Sequence, residues 1–68
     1  MLRAMIVSVT EELANALYSD AMWEEARLIW EQVISLLEQN NVRIIQREGR
    51  LMVARDNLRS ITNYLENI

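Results

Sequence analysis

Carboxylates are the most numerous groups in this sequence that could do chemistry. Four of them fall within 15 residues, at Glu24, Glu25, Glu31 and Glu38. Paired carboxylates hold metal ions or catalyse hydrolysis only where they converge in a cleft, and nothing in a chain of 68 residues indicates one. We therefore expect these glutamates to form a solvated helix face.

Arginine supplies every positively charged side chain, and five of the seven arginines follow residue 40. A guanidinium group binds a carboxylate or a phosphate through two parallel hydrogen bonds. Residues 1–40 carry a net charge of −5 and residues 41–68 a net charge of +2, so each part can attract the other or a separate partner. The candidates for such recognition are Arg43, Arg47, Arg50, Arg55 and Arg59.

The chain has no His, Lys or Cys. It therefore lacks a proton shuttle at neutral pH, a Schiff-base amine, a thiol nucleophile and a zinc site of the usual kind. We expect a protein that is not an enzyme and that binds neither a cofactor nor a metal.

The small size and the 51% apolar composition predict self-association. A chain of this length buries about 60% of its unfolded surface, which leaves a monomeric core marginal, and no disulfide is available. We expect a homodimer. The apolar run Met5–Val7 is too short to span a bilayer, and the absence of Cys is compatible with a reducing compartment, so a soluble cytoplasmic protein with no membrane partner is expected.

Residues 10–40 have the pattern of a helical hairpin. A hydroxyl at Ser8 or Thr10 before two glutamates is typical of a helix start, and Ser19-Asp20 is a candidate break. Residues 1–9 are expected as an extended arm or strand because of their β-branched residues, although they also fit a helical stripe. The residues expected in the core or at a dimer interface are Leu17, Trp23, Ala26, Trp30, Val33 and Leu37.

Residues 42–54 predict a β-hairpin. Two runs rich in β-branched and apolar residues flank Glu48-Gly49, which contains the sole glycine of the chain. In this hairpin Arg47 faces Arg50, and the repulsion between them calls for screening either by Glu48 or by an external anion. A final helix over residues 57–68 completes an α+β fold, with residues 1–68 as a single small domain.

Residues 10–38 resemble one tetratricopeptide unit, through Leu13-Ala14, Leu17, Trp23-Glu24-Glu25-Ala26, Trp30 and Val33. The resemblance implies two interlocking antiparallel helices. A lone repeat cannot bury both of its faces, so other parts of the chain or a second chain would have to cover it.

Residues 36–54 are similar to the helix and β-hairpin of TubC-type N-terminal docking domains, which join subunits of peptide and polyketide synthase assembly lines. The similarity implies that the exposed hairpin edge receives a linear segment of a partner. On this sequence the implied contacts are Arg43, Ile45, Arg47, Arg50 and Met52.

These observations predict a protein–protein interaction module, a homodimeric docking or adaptor domain whose partner is a protein or peptide segment. An acidic segment is one form of this expected partner. Two alternatives remain open. One is a small nucleic-acid-binding regulator with a winged-helix-like hairpin and helix. The other is an inhibitor of phage or plasmid type that masks a host protein.

Overall fold

The structure is a computed structural model that describes residues 2–39, 44 and 46–67, with side chains described from Ile6 onward. These residues form three helices, α1 (Leu2–Ser19), α2 (Trp23–Leu37) and α3 (Arg47–Glu66), and they contain no strand. The expected α+β class is therefore wrong, because the described chain is all-helical. The helical hairpin is confirmed as α1 and α2, and residues 2–9 belong to α1 rather than to an extended arm.

The turn between α1 and α2 ends the first helix by backbone hydrogen bonds. The Met22 N–H donates to the Leu17 carbonyl at 2.9 Å, and the Ala21 N–H donates to the Tyr18 carbonyl at 3.1 Å. These two bonds, with a left-handed φ of 58° at Ala21, make a Schellman motif. The break predicted at Ser19-Asp20 thus exists, but Ala21 is the residue that reverses the backbone.

The predicted β-hairpin is wrong in its second half, because residues 47–54 are the first two turns of α3. Apolar residues continue at helical spacing from Leu51 through Ala54 and Leu58, and this stripe packs on the core. Gly49 has no positive φ and lies in the first turn, where glycine disrupts a helix least. Val42, Arg43 and Ile45 of the first predicted strand lie outside the described residues.

α2 lies in the middle of the fold, and its neighbours along the chain pack on it from two sides. Within the described ranges, α1 and α3 each contact α2 but do not approach each other backbone to backbone. The molecule is elongated, with a radius of gyration of 11.9 Å, against about 11 Å for a compact domain of this length. The buried residues are Val7, Ala14, Ala26, Trp30, Val33, Leu37, Ile44, Ala54 and Ile61.

An aromatic cluster joins the three helices at one end. The ring of Trp23, at the start of α2, lies 5.4 Å from that of Tyr18 on α1 in an edge-on arrangement. The same ring lies 5.1 Å from that of Tyr64 near the end of α3. Centroid distances in this range are favourable for aromatic pairs. The contact joins the start of α2 to the end of α3, as in an antiparallel pair of helices.

Gly49 distinguishes the helix from the predicted hairpin turn by experiment. We expect Gly49→Ala to raise the free energy of unfolding by up to about 0.5 kcal/mol, less than in a helix interior, because alanine is the better helix former and a Cβ there meets no described atom within 4 Å. Urea denaturation measures the change. A loss of stability would indicate a turn with positive φ at this residue.

Ala21 gives the opposite case, a non-glycine residue in the left-handed region. We expect Ala21→Gly to stabilise the protein by about 1 kcal/mol because glycine removes the steric cost of the left-handed conformation. Thermal and urea unfolding of this variant measure the gain. Ala16→Gly, in the exposed interior of α1, is the control and should be destabilising by a similar amount.

Candidate functional site

The described residues form an open groove between α1 and α3, of about 1200 Å³. Its floor includes Trp30 of α2, and Val53 adds an apolar side chain from the α3 wall. The rest of the lining is polar and comes from the two flanking helices: Ser8, Glu11, Glu12, Asn15, Gln46, Arg47, Glu48, Gly49 and Arg50.

Arg50 connects the two walls of the groove. Its guanidinium binds both carboxylate oxygens of Glu11, with Nε donating to Oε2 at 3.0 Å and Nη2 donating to Oε1. Nη2 also lies 3.4 Å from the Ser8 hydroxyl oxygen. Both side chains of the ion pair are partly buried, so this fork is better shielded from water than a surface pair.

The ion pair shifts the titration of Arg50. The hydrogen bond to Glu11 raises the pKa of Arg50, the negative charge of Glu11 adds to this rise, and partial burial opposes it. The folded-state pKa is raised, so the stabilisation is complete below the unfolded pKa and is lost only above it. Because arginine stays charged far beyond neutrality, the raised pKa of Arg50 adds no pH dependence to stability at physiological pH.

The structure brings Arg47 and Arg50 together, but as neighbours three residues apart on the first turn of α3 instead of across a hairpin. Both lie on the groove wall. Met52, the third described residue of the predicted contact set, is exposed and lies outside the groove lining. Arg43 and Ile45 are outside the described residues.

The residues predicted for the core or a dimer interface lie inside this single chain. Ala26, Trp30, Val33 and Leu37 form the buried stripe of α2, and Leu17 and Trp23 are partly buried against the same cluster. The four buried residues are therefore not accessible to a second copy on the surface of this fold.

Trp30 contributes a polar atom to an otherwise apolar interior. The residue is only 2% exposed, and its indole N–H has no hydrogen-bond partner within the described part of the chain. A buried donor left unpaired costs free energy. The ring thus stabilises the core by apolar packing, and it also lies beneath the groove.

The four glutamates considered at first all remain at the surface, and they do not converge. Glu38 accepts a hydrogen bond from Nη2 of Arg55 at 2.7 Å, with both side chains about half exposed. The described residues contain no group of three or more side chains that could hold a metal ion.

Sequence reasoning missed the contribution of α1 to the groove. Ser8, Glu11 or Glu12, and Asn15 follow one another at intervals of three and four, which places them on one helix face. That spacing was the available signal. Their pairing with α3 joins residues 39 positions apart, which no local pattern encodes.

Comparison with known protein families, curated proteins and solved structures gave no match to this chain. The resemblance to TubC-type docking domains is therefore wrong, since the second half of its hairpin is helix and no family model supports it. The tetratricopeptide resemblance has no support beyond the helical hairpin. No helix in the described ranges has the length and apolar character needed to cross a membrane.

The Arg50–Glu11 pair should carry measurable coupling. In a double-mutant cycle of Arg50→Gln and Glu11→Gln, we expect a coupling energy of about 1 kcal/mol, because the bidentate pair is partly buried. The exposed Arg55–Glu38 pair is the matched control, with about 0–0.5 kcal/mol expected. A coupling near zero for Arg50–Glu11 in urea denaturation would show that the groove walls are not joined by this contact.

Proposed function

We propose that this protein is a non-catalytic protein–protein interaction module that binds a segment of another protein in the groove between α1 and α3. The observation that carries the proposal is the exposed apolar side chain of Val53 above the buried Trp30, with polar residues of both flanking helices around it. Protein interfaces have this anatomy, an apolar centre surrounded by hydrogen-bonding groups.

The openness of the groove favours a protein segment over a small molecule. Sites for small ligands enclose most of the ligand surface, whereas this groove is a surface depression bounded by two parallel helices. A segment lying between α1 and α3 would place an apolar side chain on Val53 and its polar groups against Asn15 and Gln46.

The rim carries charges of both signs, and these charges determine which side chains we expect in the partner segment. Arg47 and Arg50 line it together with Glu11, Glu12 and Glu48. An acidic side chain of the partner would compete with Glu11 for the guanidinium of Arg50. We therefore propose a segment with a central apolar residue and mixed polar flanks, and strong net acidity is not required.

Nucleic-acid binding is the less favoured class. Arg50 and Arg55 are paired with Glu11 and Glu38, so part of the positive charge of α3 is neutralised within the chain. The hairpin wing that this alternative needed is helix in residues 47–54. An inhibitor that masks a host protein belongs to the favoured class, because it would use the groove in the same way.

We also propose a cytoplasmic location. The proposal rests on the cysteine-free composition, which needs no oxidising compartment for folding.

Selection of binding peptides from a random library tests the groove. Peptides selected on the wild-type chain should bind Val53→Asp at least tenfold more weakly, because the carboxylate places an unpaired charge at the apolar centre. Met52→Asp is the matched control, since Met52 is the neighbouring residue, is 65% exposed against 55% for Val53, and does not line the groove.

Two results would contradict the proposal. One is peptides that bind Val53→Asp as well as the wild type, and the other is peptides that lose affinity equally with Met52→Asp. Duplex DNA of random sequence is the second probe. Tighter binding to that duplex than to any selected peptide, weakened by Arg47→Gln, would favour the nucleic-acid class.

A further inference from the structure

α1 carries a second apolar stripe that the fold does not bury. The stripe is separate from the side chains by which α1 packs on α2, which include Val7 and Ala14. Its three large residues are each about half exposed or more. Successive members are three, four and three residues apart: Ile6, Val9, Leu13 and Ala16.

The spacing of this stripe is suited to packing against another helix. Alternating steps of three and four are the a and d positions of a heptad, at which side chains of one helix insert between those of another. Groove residues such as Ser8 and Asn15 lie on a different face of α1, so the stripe and the groove do not overlap.

The charge distribution makes this stripe a face at which two copies of the chain can meet with little repulsion. The chain has a net charge of −3, so two copies repel each other unless they meet at a face with few charges. Residues 6–19 contain two charged side chains, and one of them, Glu11, is bound to Arg50 in the groove. The exposed face of α2 carries three carboxylates, Glu24, Glu25 and Glu31, and is a poorer meeting surface.

We propose that two copies of the protein associate through this stripe, α1 against α1, around a two-fold axis. In such an isologous contact the same apolar side chains of both copies pack against each other. Each stripe therefore meets a stripe with the same heptad spacing. The apolar stripe of α2 and that of α3 are already used within the chain. This association has its own evidence and does not depend on the groove.

The size of the contact sets its strength. α1 has 18 residues and is about 27 Å long, so one helix-to-helix contact buries less than the roughly 800 Å² per partner of a standard stable interface. The dimer is accordingly weak.

Sedimentation equilibrium of the full chain, from about 5 µM to about 1 mM, tests the pairing. The apparent mass of the wild type should rise from 8.0 kDa toward twice that value. Leu13→Glu should stay monomeric throughout. Leu28→Glu is the matched control, because Leu28 is 54% exposed against 48% for Leu13 and the substitution adds the same charge on α2; it should associate like the wild type.

A wild-type chain that stays monomeric at the highest concentration would overturn the pairing. So would a Leu13→Glu variant that still associates, or a Leu28→Glu variant that loses association as completely. Val9→Gln, which adds no charge, should weaken association at least threefold, and far-UV circular dichroism at low concentration verifies that each variant is folded. Peptide binding in the groove should be unchanged by Leu13→Glu, so failure of the pairing and failure of the groove are separate results.

Discussion

The apolar stripe of α2 is the surface on which the other two helices depend. Ala26, Trp30, Val33 and Leu37 follow at steps of four, three and four, and each is buried. α1 and α3 pack on this stripe from two sides and do not replace it with contacts between their own backbones in the described ranges. The groove exists for the same reason: two helices held apart by a central third leave a depression, and the large indole of Trp30 forms part of its floor.

Local pattern in the sequence was sufficient for α2 and for the second half of α1, but it was misleading for residues 2–9 and for the start of α3. In α2 the apolar period is regular over four turns, and tertiary packing agrees with it. Residues 47–54 contain β-branched and apolar residues around Gly49, and a short run of this kind fits a strand or a buried helix equally well. The residues that follow favour the helix, because Leu58 and Ile61 continue the apolar stripe of Leu51 and Ala54. A glycine near a helix start costs little, so it did not stop α3.

The candidate site was foreseen only in part. Arg47 and Arg50 were chosen for their type, and they do lie on one wall of the groove. The partner of Arg50 was not foreseen, since Glu11 is 39 positions away and becomes a neighbour only after both helices have packed on α2. Val53 was assigned to a strand and instead supplies the apolar centre of the wall. Residue types are thus visible in the sequence, whereas which types meet is decided by tertiary packing.

The order of the helices also has a kinetic consequence. Each of the two helix–helix interfaces joins elements that are adjacent along the chain, so most of the native contacts close short loops. Proteins dominated by such local contacts fold in microseconds to milliseconds, because little chain entropy is lost before favourable packing begins. We expect either helix pair to be able to nucleate the structure. The Arg50–Glu11 bridge closes a loop through all of α2, so we expect it to form after the two outer helices have packed.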